Sequence, residues 1–187
     1  MTADVLEGGF QNAPIEAATV FRAALDALAR PGKVHQVAGV LPPAPLGIAA
    51  GALALTLCDF DTGVWLGPSV ATDNVLGWLA FHTGARQVDR EHADFVFGGW
   101  AEMLPLTDFR IGTADYPDRS ATLIVEVPVL EGGHRLTGPG IRDHARLPVP
   151  DPAAFQANSQ CFPLGWDAIL TCGDRMAGLP RTTKVEG

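Results

Sequence analysis

The sequence predicts an α/β fold, a three-layer α/β/α sandwich built on a mixed sheet. Two patterns support this. Segments with helical apolar spacing alternate with short β-branched segments along the chain. Near the C-terminus two apolar segments flank Cys172-Gly173-Asp174, a hairpin that adds an antiparallel strand to the sheet. No internal repeat or linker divides the 187 residues, so we expect a single domain over 1–187.

The clearest helix is predicted at residues 15–29. Asn12 is suited to cap it and Pro14 to occupy its first turn. Pro31 disfavours helical backbone at the residue before it and therefore ends the helix. The apolar positions with a spacing close to 3.6 are Ile15, Ala18, Phe21, Leu25 and Leu28.

Four further helices are predicted. The Ala- and Leu-rich run at 48–57 indicates a buried helix. Thr72 or Asp73 offers an N-cap oxygen to the next helix, which ends near Gly84. Two shorter helices are predicted at 101–106 and 152–158.

Strands are predicted where β-branched and aromatic residues cluster between turn residues. Residues 121–127, with the sequence ATLIVEV, are the strongest of them. Residues 111–120 are polar and irregular. The other predicted strands are 33–37, 64–66, 93–97, 135–137, 168–171 and 175–179.

Composition and charge exclude several classes of protein. The net charge is −8 with only two lysines, which argues against free nucleic acid as a partner. Residues 1–9 have no basic or apolar signal-peptide region, and the longest apolar stretch, 46–58, is too short to span a bilayer. Three widely spaced cysteines favour reduced, mostly buried thiols. We therefore expect a soluble, cytoplasmic protein.

The sequence has few signatures of catalysis. It contains no HExxH, GxSxG, Walker or GxGxxG motif. His134, Asp143 and His144 surround a glycine-rich turn, but hydrogen-bonded or surface histidines are the favoured interpretation over a metal site. We predict no catalytic residue, no metal site and no cofactor.

Two polar segments leave alternatives open. Asp59 and Asp61 follow a helix, as active-site carboxylates often do in α/β proteins, although turn hydrogen bonding is the favoured interpretation. The segment Arg181-Thr182-Thr183-Lys184 places two cations around two hydroxyls. Its composition suits a phosphate or carboxylate ligand, an acidic subunit interface, or a solvated tail.

Six segments of the chain carry distinctive motifs. They are 21–32 (FRAALDALARPG), 55–66 (LTLCDFDTGVWL), 81–83 (FHT), 121–123 (ATL), 136–141 (LTGPGI) and 162–186 (FPLGWDAILTCGDRMAGLPRTTKVE). The last of them is long and unusual enough to be specific. Together the segments resemble the PhnH family, the H subunits of the bacterial carbon–phosphorus lyase core complex. They occur in family order and span nearly the whole chain.

The resemblance implies a role in organic phosphonate catabolism. Family members help form alpha-D-ribose 1-methylphosphonate 5-triphosphate from ATP and methylphosphonate within a multi-subunit transferase, and a separate radical subunit later cuts the carbon–phosphorus bond. The resemblance also implies a degenerate fold of pyridoxal-phosphate-dependent transferases that lacks the cofactor. Lys33 and Lys184 agree with this, since neither has a recognisable Schiff-base context.

Two functional hypotheses follow. In the first the chain is a non-catalytic binding subunit that forms a homodimer and docks on other core subunits, with Trp65, Trp100 and Trp166 as candidate anchors. In the second it binds a phosphonate or nucleotide and contributes directly to the transferase site. The candidate ligand or interface residues are Arg22, Asp59, Thr62, Trp65, Arg181, Thr182, Thr183 and Lys184.

Overall fold

Helices and strands alternate along most of the chain in a computed structural model that describes residues 6–186. Residues 1–5, part of the stretch in which no signal peptide is predicted, and residue 187 lie outside it. The helices are α1 Ala13–Ala29, α2 Ile48–Leu57, α3 Asp73–Thr83, α4 Trp100–Met103 and α5 Pro152–Gln160. The strands are β1 Val34–Gln36, β2 Gly63–Leu66, β3 Arg86–Gln87, β4 Phe95–Gly99, β5 Thr122–Glu126, β6 His134–Thr137, β7 Ala145–Leu147, β8 Asp167–Cys172, β9 Arg175–Leu179 and β10 Lys184–Glu186.

Seven strands form one mixed sheet in the order β1-β9-β8-β5-β4-β2-β3. The neighbouring strands from β8 to β3 are parallel, while β9 is antiparallel to both β8 and β1. The predicted hairpin is confirmed, with Cys172 opposite Arg175 across its turn. The mixed α/β sheet is therefore as predicted.

Three short strands escaped prediction because two or three residues carry no measurable periodicity. They are β3, at the edge of the large sheet, and β7 and β10, which flank β6 in a second, antiparallel sheet of order β10-β6-β7. The second sheet changes the predicted layering. One face of the large sheet is covered by α1, α2 and α3, whereas the other is covered by the small sheet together with α4 and α5.

A separate apolar core fills the space on each face of the large sheet. Strand β5 supplies both cores because successive side chains point to opposite faces. Ile124 joins the core beneath the three helices, which also contains Leu53 and Trp78. Leu123 joins the core beneath the small sheet, which also contains Leu136. No helix within residues 6–186 is both long enough and apolar enough to cross a membrane.

Helix α1 lies where it was predicted, but its buried face differs from the apolar spacing that predicted it. The buried residues are Val20, Ala24 and Ala27. Three of the larger apolar side chains of the spacing face outward instead: Ile15, Phe21 and Leu25 are 64%, 45% and 51% exposed. The reason is a close approach of α1 to β9. A Cβ on Gly178 would lie 2.4 Å from the carbonyl oxygen of Ala27, so only small residues fit between them.

The predicted helix caps are half right. Thr72 caps α3, and its hydroxyl accepts a hydrogen bond from the Val75 amide at 3.3 Å. Asn12 occupies the N-cap position of α1, but its side chain makes no capping bond. The Asn12 amide instead donates to the carboxylate of Glu16 at 2.7 Å, so the capping side chain lies inside the helix.

Candidate functional site

The connections after two adjacent parallel strands diverge. Strand β2 leads to α3, which packs in the first core, whereas β4 leads to α4, whose Met103 packs in the second. Ligands of open α/β sheets bind where connections diverge in this way at the carboxyl ends of the strands. The topology therefore marks the carboxyl ends of β2 and β4 as the place to look for a site.

A cavity of about 520 Å³ lies at these strand ends. Its size falls within the range of small-molecule sites. Most of its wall is apolar, and Glu126 at the end of β5 and Cys172 at the end of β8 border it. We call it the carboxyl-edge cleft. Its lining residues are Pro45, Ser69, Val70, Gly99, Glu126, Val127, Pro128 and Cys172.

Glu126 is the acidic group of the cleft wall. The Thr171 hydroxyl donates to its Oε2 at 2.9 Å, and the Gly173 amide approaches Oε1 at 3.5 Å. Glu126 is exposed to solvent along the cleft, but the surrounding protein partly desolvates its carboxylate and raises its pKa, although both hydrogen bonds act in the opposite direction. Within residues 6–186 no Lys, Arg or His forms a salt bridge with Glu126.

Glu102 lies just behind this wall and organises the loops that form it. Its carboxylate accepts hydrogen bonds from the amide and hydroxyl of Ser69 at 2.6 and 2.7 Å and from the Gly99 amide at 2.9 Å. Partial burial raises its pKa, but these bonds outweigh burial and the net pKa is lowered. A Cβ on Gly67 would lie 2.8 Å from Glu102 Oε2, so a larger residue there would displace the Glu102 carboxylate. Glu102 thus ties the connection after β2 to that after β4.

The sequence-predicted residues lie elsewhere, many of them at the opposite, amino-terminal edge of the parallel strands. Asp59 and Thr62 form the turn before β2. The Thr62 hydroxyl bonds the Asp59 backbone at 2.7 Å, and the Asp61 amide donates to the Asp59 carboxylate at 2.9 Å. The Asp59 carboxylate therefore serves the turn, as the favoured interpretation held, whereas Asp61 contributes its backbone amide.

Arg181 makes the densest set of polar contacts at this amino edge. Its side chain is only 10% exposed. All five N–H donors of its guanidinium are directed at protein oxygens, so none remains for a ligand. The acceptors are both carboxylate oxygens of Asp167, the carbonyls of Pro117 and Pro163, and the Ser120 hydroxyl. Arg181 is a structural clamp.

The remaining charged and hydroxyl candidates do not converge. Thr183 is 3% exposed, and within residues 6–186 its hydroxyl has no hydrogen-bond partner. Thr182 is half-buried in the turn before β10, and Lys184 is exposed on that strand. Arg22 is exposed on α1, beside the outward apolar residues. None of these residues lines the carboxyl-edge cleft.

The three tryptophans that were candidate anchors, Trp65, Trp100 and Trp166, belong to the second core. Trp166 is 4% exposed and packs edge-on against Phe155. Trp100 stacks on the same phenyl ring with centroids 5.2 Å apart. Trp65 is half-buried against Phe109. Trp166 therefore cannot act as an exposed anchor, and the other two offer only part of their surface.

Histidines and cysteines add no second site. His144 pairs with Asp143 at 2.9 Å, while His134 lies on β6. Across residues 6–186 no three His, Cys, Asp or Glu side chains are grouped to hold a metal. The three thiols are free as predicted, and burial raises the pKa of Cys58 to about 12. Cys161 is exposed, contrary to the expectation of mostly buried thiols.

Sequence reasoning missed the cleft, although a signal was present. Glu126 interrupts the apolar run of the strongest predicted strand, where a carboxylate costs burial energy unless it reaches solvent or a partner. Gly67 and Gly98-Gly99 follow two apolar strands in the same way. A polar or glycine residue at the end of each of several parallel strands would have pointed to this edge.

Comparison with known proteins identifies the family. Residues 8–186 match the family described as "Bacterial phosphonate metabolism protein (PhnH)". The chain is 44% identical to "Alpha-D-ribose 1-methylphosphonate 5-triphosphate synthase subunit PhnH" of Rhizobium meliloti (strain 1021), over 97% of this chain and 96% of the relative. It is 33% identical to "Putative C-P lyase subunit protein HtxG" of Stutzerimonas stutzeri, over 96% and 95%. The chain belongs to the PhnH family.

Proposed function

We propose that this chain is a cytoplasmic, single-domain subunit of the complex that forms alpha-D-ribose 1-methylphosphonate 5-triphosphate from ATP and methylphosphonate, and that it is non-catalytic alone. The R. meliloti relative is named as a subunit of that synthase and the S. stutzeri relative as a carbon–phosphorus lyase subunit. The match covers both relatives nearly end to end, so we assign to this chain the role of a whole subunit.

The outward face of α1 is the observation that carries a docking role. Ile15, Phe21 and Leu25 each leave about half or more of their surface to water on one helix, with Arg22 among them. Apolar side chains gathered on one exposed face, with an arginine, are typical of protein interfaces. We propose that this face docks on another core subunit and that the chain also forms a homodimer.

Co-expression with the other core subunits tests the docking role. We expect Phe21→Glu to abolish co-purification, because it places a carboxylate in an apolar contact. The matched control is Phe81→Glu on α3, whose phenyl is 63% exposed and lies on a different helix. Equal retention of both variants would contradict docking through α1. The mass of the purified chain, from light scattering, tests the homodimer.

Direct binding of a phosphonate or nucleotide is the second candidate role. Arg181 does not support it, because its guanidinium is already saturated. Arg22 and Lys184 remain, and they lie on separate elements. Calorimetry with ATP and with methylphosphonate at two salt concentrations decides the matter, since millimolar ligand without heat would exclude direct binding.

We also propose that the fold is a degenerate pyridoxal-phosphate-dependent transferase fold without the cofactor. The mixed seven-stranded sheet covered on both faces supports this likeness. Lys33 pairs with Asp26 at 2.7 Å and Lys184 is exposed on β10, so both lie outside the carboxyl-edge cleft. A lysine-linked absorbance band on addition of pyridoxal phosphate would contradict the proposal.

A further inference from the structure

The hydrogen-bond donors of the carboxyl-edge cleft are already used. Ser69 gives both its amide and its hydroxyl to Glu102, and the Gly99 amide donates to the same carboxylate. The Cys172 thiol donates to the Pro128 carbonyl at 3.2 Å. The amides of Val70 and Val127 donate to backbone carbonyls at 3.0 and 2.8 Å, and the lining prolines have no amide donor. The wall therefore has little to donate to a ligand.

The acceptors of the same wall are open. A carboxylate accepts about four hydrogen bonds. Glu126 receives one short bond, from Thr171 at 2.9 Å, and one long contact, from Gly173 at 3.5 Å. The Ser69 hydroxyl donates its proton and keeps its lone pairs. The cleft is consequently rich in acceptors and poor in donors.

This imbalance decides which ligands fit. A phosphonate or phosphate brings several acceptor oxygens and negative charge, and it needs N–H or O–H donors and cations. None of the eight residues that line the cleft is Lys, Arg or His. A cationic donor meets the open carboxylate with the right sign and polarity, while an apolar stem can lie on the valine and proline side chains.

We infer that the carboxyl-edge cleft binds a guanidinium or ammonium group, which donates hydrogen bonds to Glu126 while its stem packs on Val70 and Val127. The group belongs either to a free organic cation or to a basic side chain of a partner subunit. This inference rests on the cleft alone and goes beyond the proposed docking through α1.

Titration of the full chain with three small probes tests the chemistry. We expect n-butylguanidinium to bind in the millimolar range and to shift the NMR resonances of Ser69 and Glu126, whereas the uncharged isostere n-butylurea binds at least about tenfold more weakly. Methylphosphonate should leave these resonances unchanged. Shifts caused by methylphosphonate, or equal affinities for butylguanidinium and butylurea, would overturn the inference. The probes require no variant, so the test does not depend on a mutant fold.

A charge-matched pair of variants locates the site. Glu126→Gln should weaken butylguanidinium binding about tenfold, because the amide loses both the charge and one acceptor. Glu91→Gln makes the same change in charge at an exposed residue outside the cleft and should bind like the parent. Equal weakening in both variants would assign the binding to the general negative charge and overturn the site.

The assembled complex separates the two sources of the cation. If a partner subunit supplies it, Glu126→Gln will reduce co-purification relative to Glu91→Gln, and butylguanidinium will compete with assembly. If it is a free cation, both variants will assemble equally and the complex will still bind the probe. Failure of the parent chain to assemble would contradict the proposed function, whereas the probe titrations test the cleft independently.

Discussion

The two edges of the parallel strands carry similar polar residues for different purposes. At the amino edge, Asp94 bonds the Gly63 amide and Arg110, and Asp167 holds Arg181, so charges are paired with protein groups. At the carboxyl edge, Glu126 faces a cleft and, within residues 6–186, forms no salt bridge. Charge composition alone therefore does not locate a site, because it does not tell whether the charges are already satisfied.

The comparison agrees with a general property of α/β folds, in which the carboxyl ends of strands bind ligands and the opposite ends contribute stability. Arg181, the most suggestive sequence candidate, lies on the stabilising side. Glu126, the single charged residue in an apolar strand pattern, lies on the binding side. Substitutions at the two edges should consequently differ in the size and in the sign of their effect on stability.

The largest effect is expected at the amino edge. Arg181→Ala leaves Asp167 without its cation and three other acceptors without donors, and should lower the free energy of unfolding by about 3–5 kcal/mol. Arg181→Lys should recover little, since one ammonium cannot serve five acceptors. Urea denaturation followed by tryptophan fluorescence measures both.

The control is Arg135→Ala, which breaks an exposed pair with Glu186 and should leave the free energy of unfolding nearly unchanged. If Arg181→Ala were as mild as this control, the amino edge would not be the structural one.

An intermediate effect is expected behind the cleft. Glu102→Ala removes the acceptor of three hydrogen bonds and should cost about 1–2 kcal/mol at neutral pH. Because the folded-state pKa of Glu102 is lowered, its contribution is present above the unfolded-state pKa and is lost as the pH falls through the folded-state pKa. The difference from the parent should therefore shrink in acid.

Thermal unfolding at several pH values measures this trend, with Glu91→Ala, an exposed residue, expected within about 0.5 kcal/mol of the parent. If the loss of stability of Glu102→Ala relative to the parent grew on acidification, the role given to Glu102 would be contradicted.

A smaller effect of opposite sign is expected from Thr183→Val. The buried hydroxyl of Thr183 has no partner within residues 6–186, so a methyl group of similar shape should stabilise the fold by up to about 1 kcal/mol. The half-buried neighbour Thr182, changed to Val, is the control and should have little effect. Destabilisation by Thr183→Val would show that the hydroxyl is in fact bonded.

The smallest effect is expected in the cleft itself. The folded-state pKa of Glu126 is raised, so its ionised form disfavours folding above that pKa, and Glu126→Gln should raise the melting temperature slightly at neutral pH. The gain should fade as the pH falls through the raised pKa, because the parent carboxyl then becomes neutral.

Glu131→Gln is the opposite case. A hydrogen bond from Arg175 lowers the pKa of Glu131, so the ionised carboxylate stabilises the fold at neutral pH. Replacing it by Gln should therefore lower the melting temperature slightly. If both variants shifted the melting temperature in the same direction, the cleft carboxylate would not be distinguished from a paired surface one.

Local sequence patterns determined most of the elements. The bounds of α2, the Thr72 cap of α3 and the β8–β9 hairpin were all predicted, because helix spacing, caps and tight turns depend on neighbouring residues. The family was also identified from ordered segments, as the match over residues 8–186 confirms. The outer face of α1 was not predictable, because it depends on a distant glycine in β9.

What the sequence by itself determined was therefore the alternation of helices and strands, the mixed sheet and the family. Only the tertiary structure decided which polar groups are satisfied. It places five protein acceptors around the guanidinium of Arg181, whereas the carboxylate of Glu126 at the end of β5 receives only one short hydrogen bond. The physical reason is that hydrogen-bond satisfaction depends on groups far apart in the chain, here separated by 14 to 64 residues for Arg181, which no local pattern encodes.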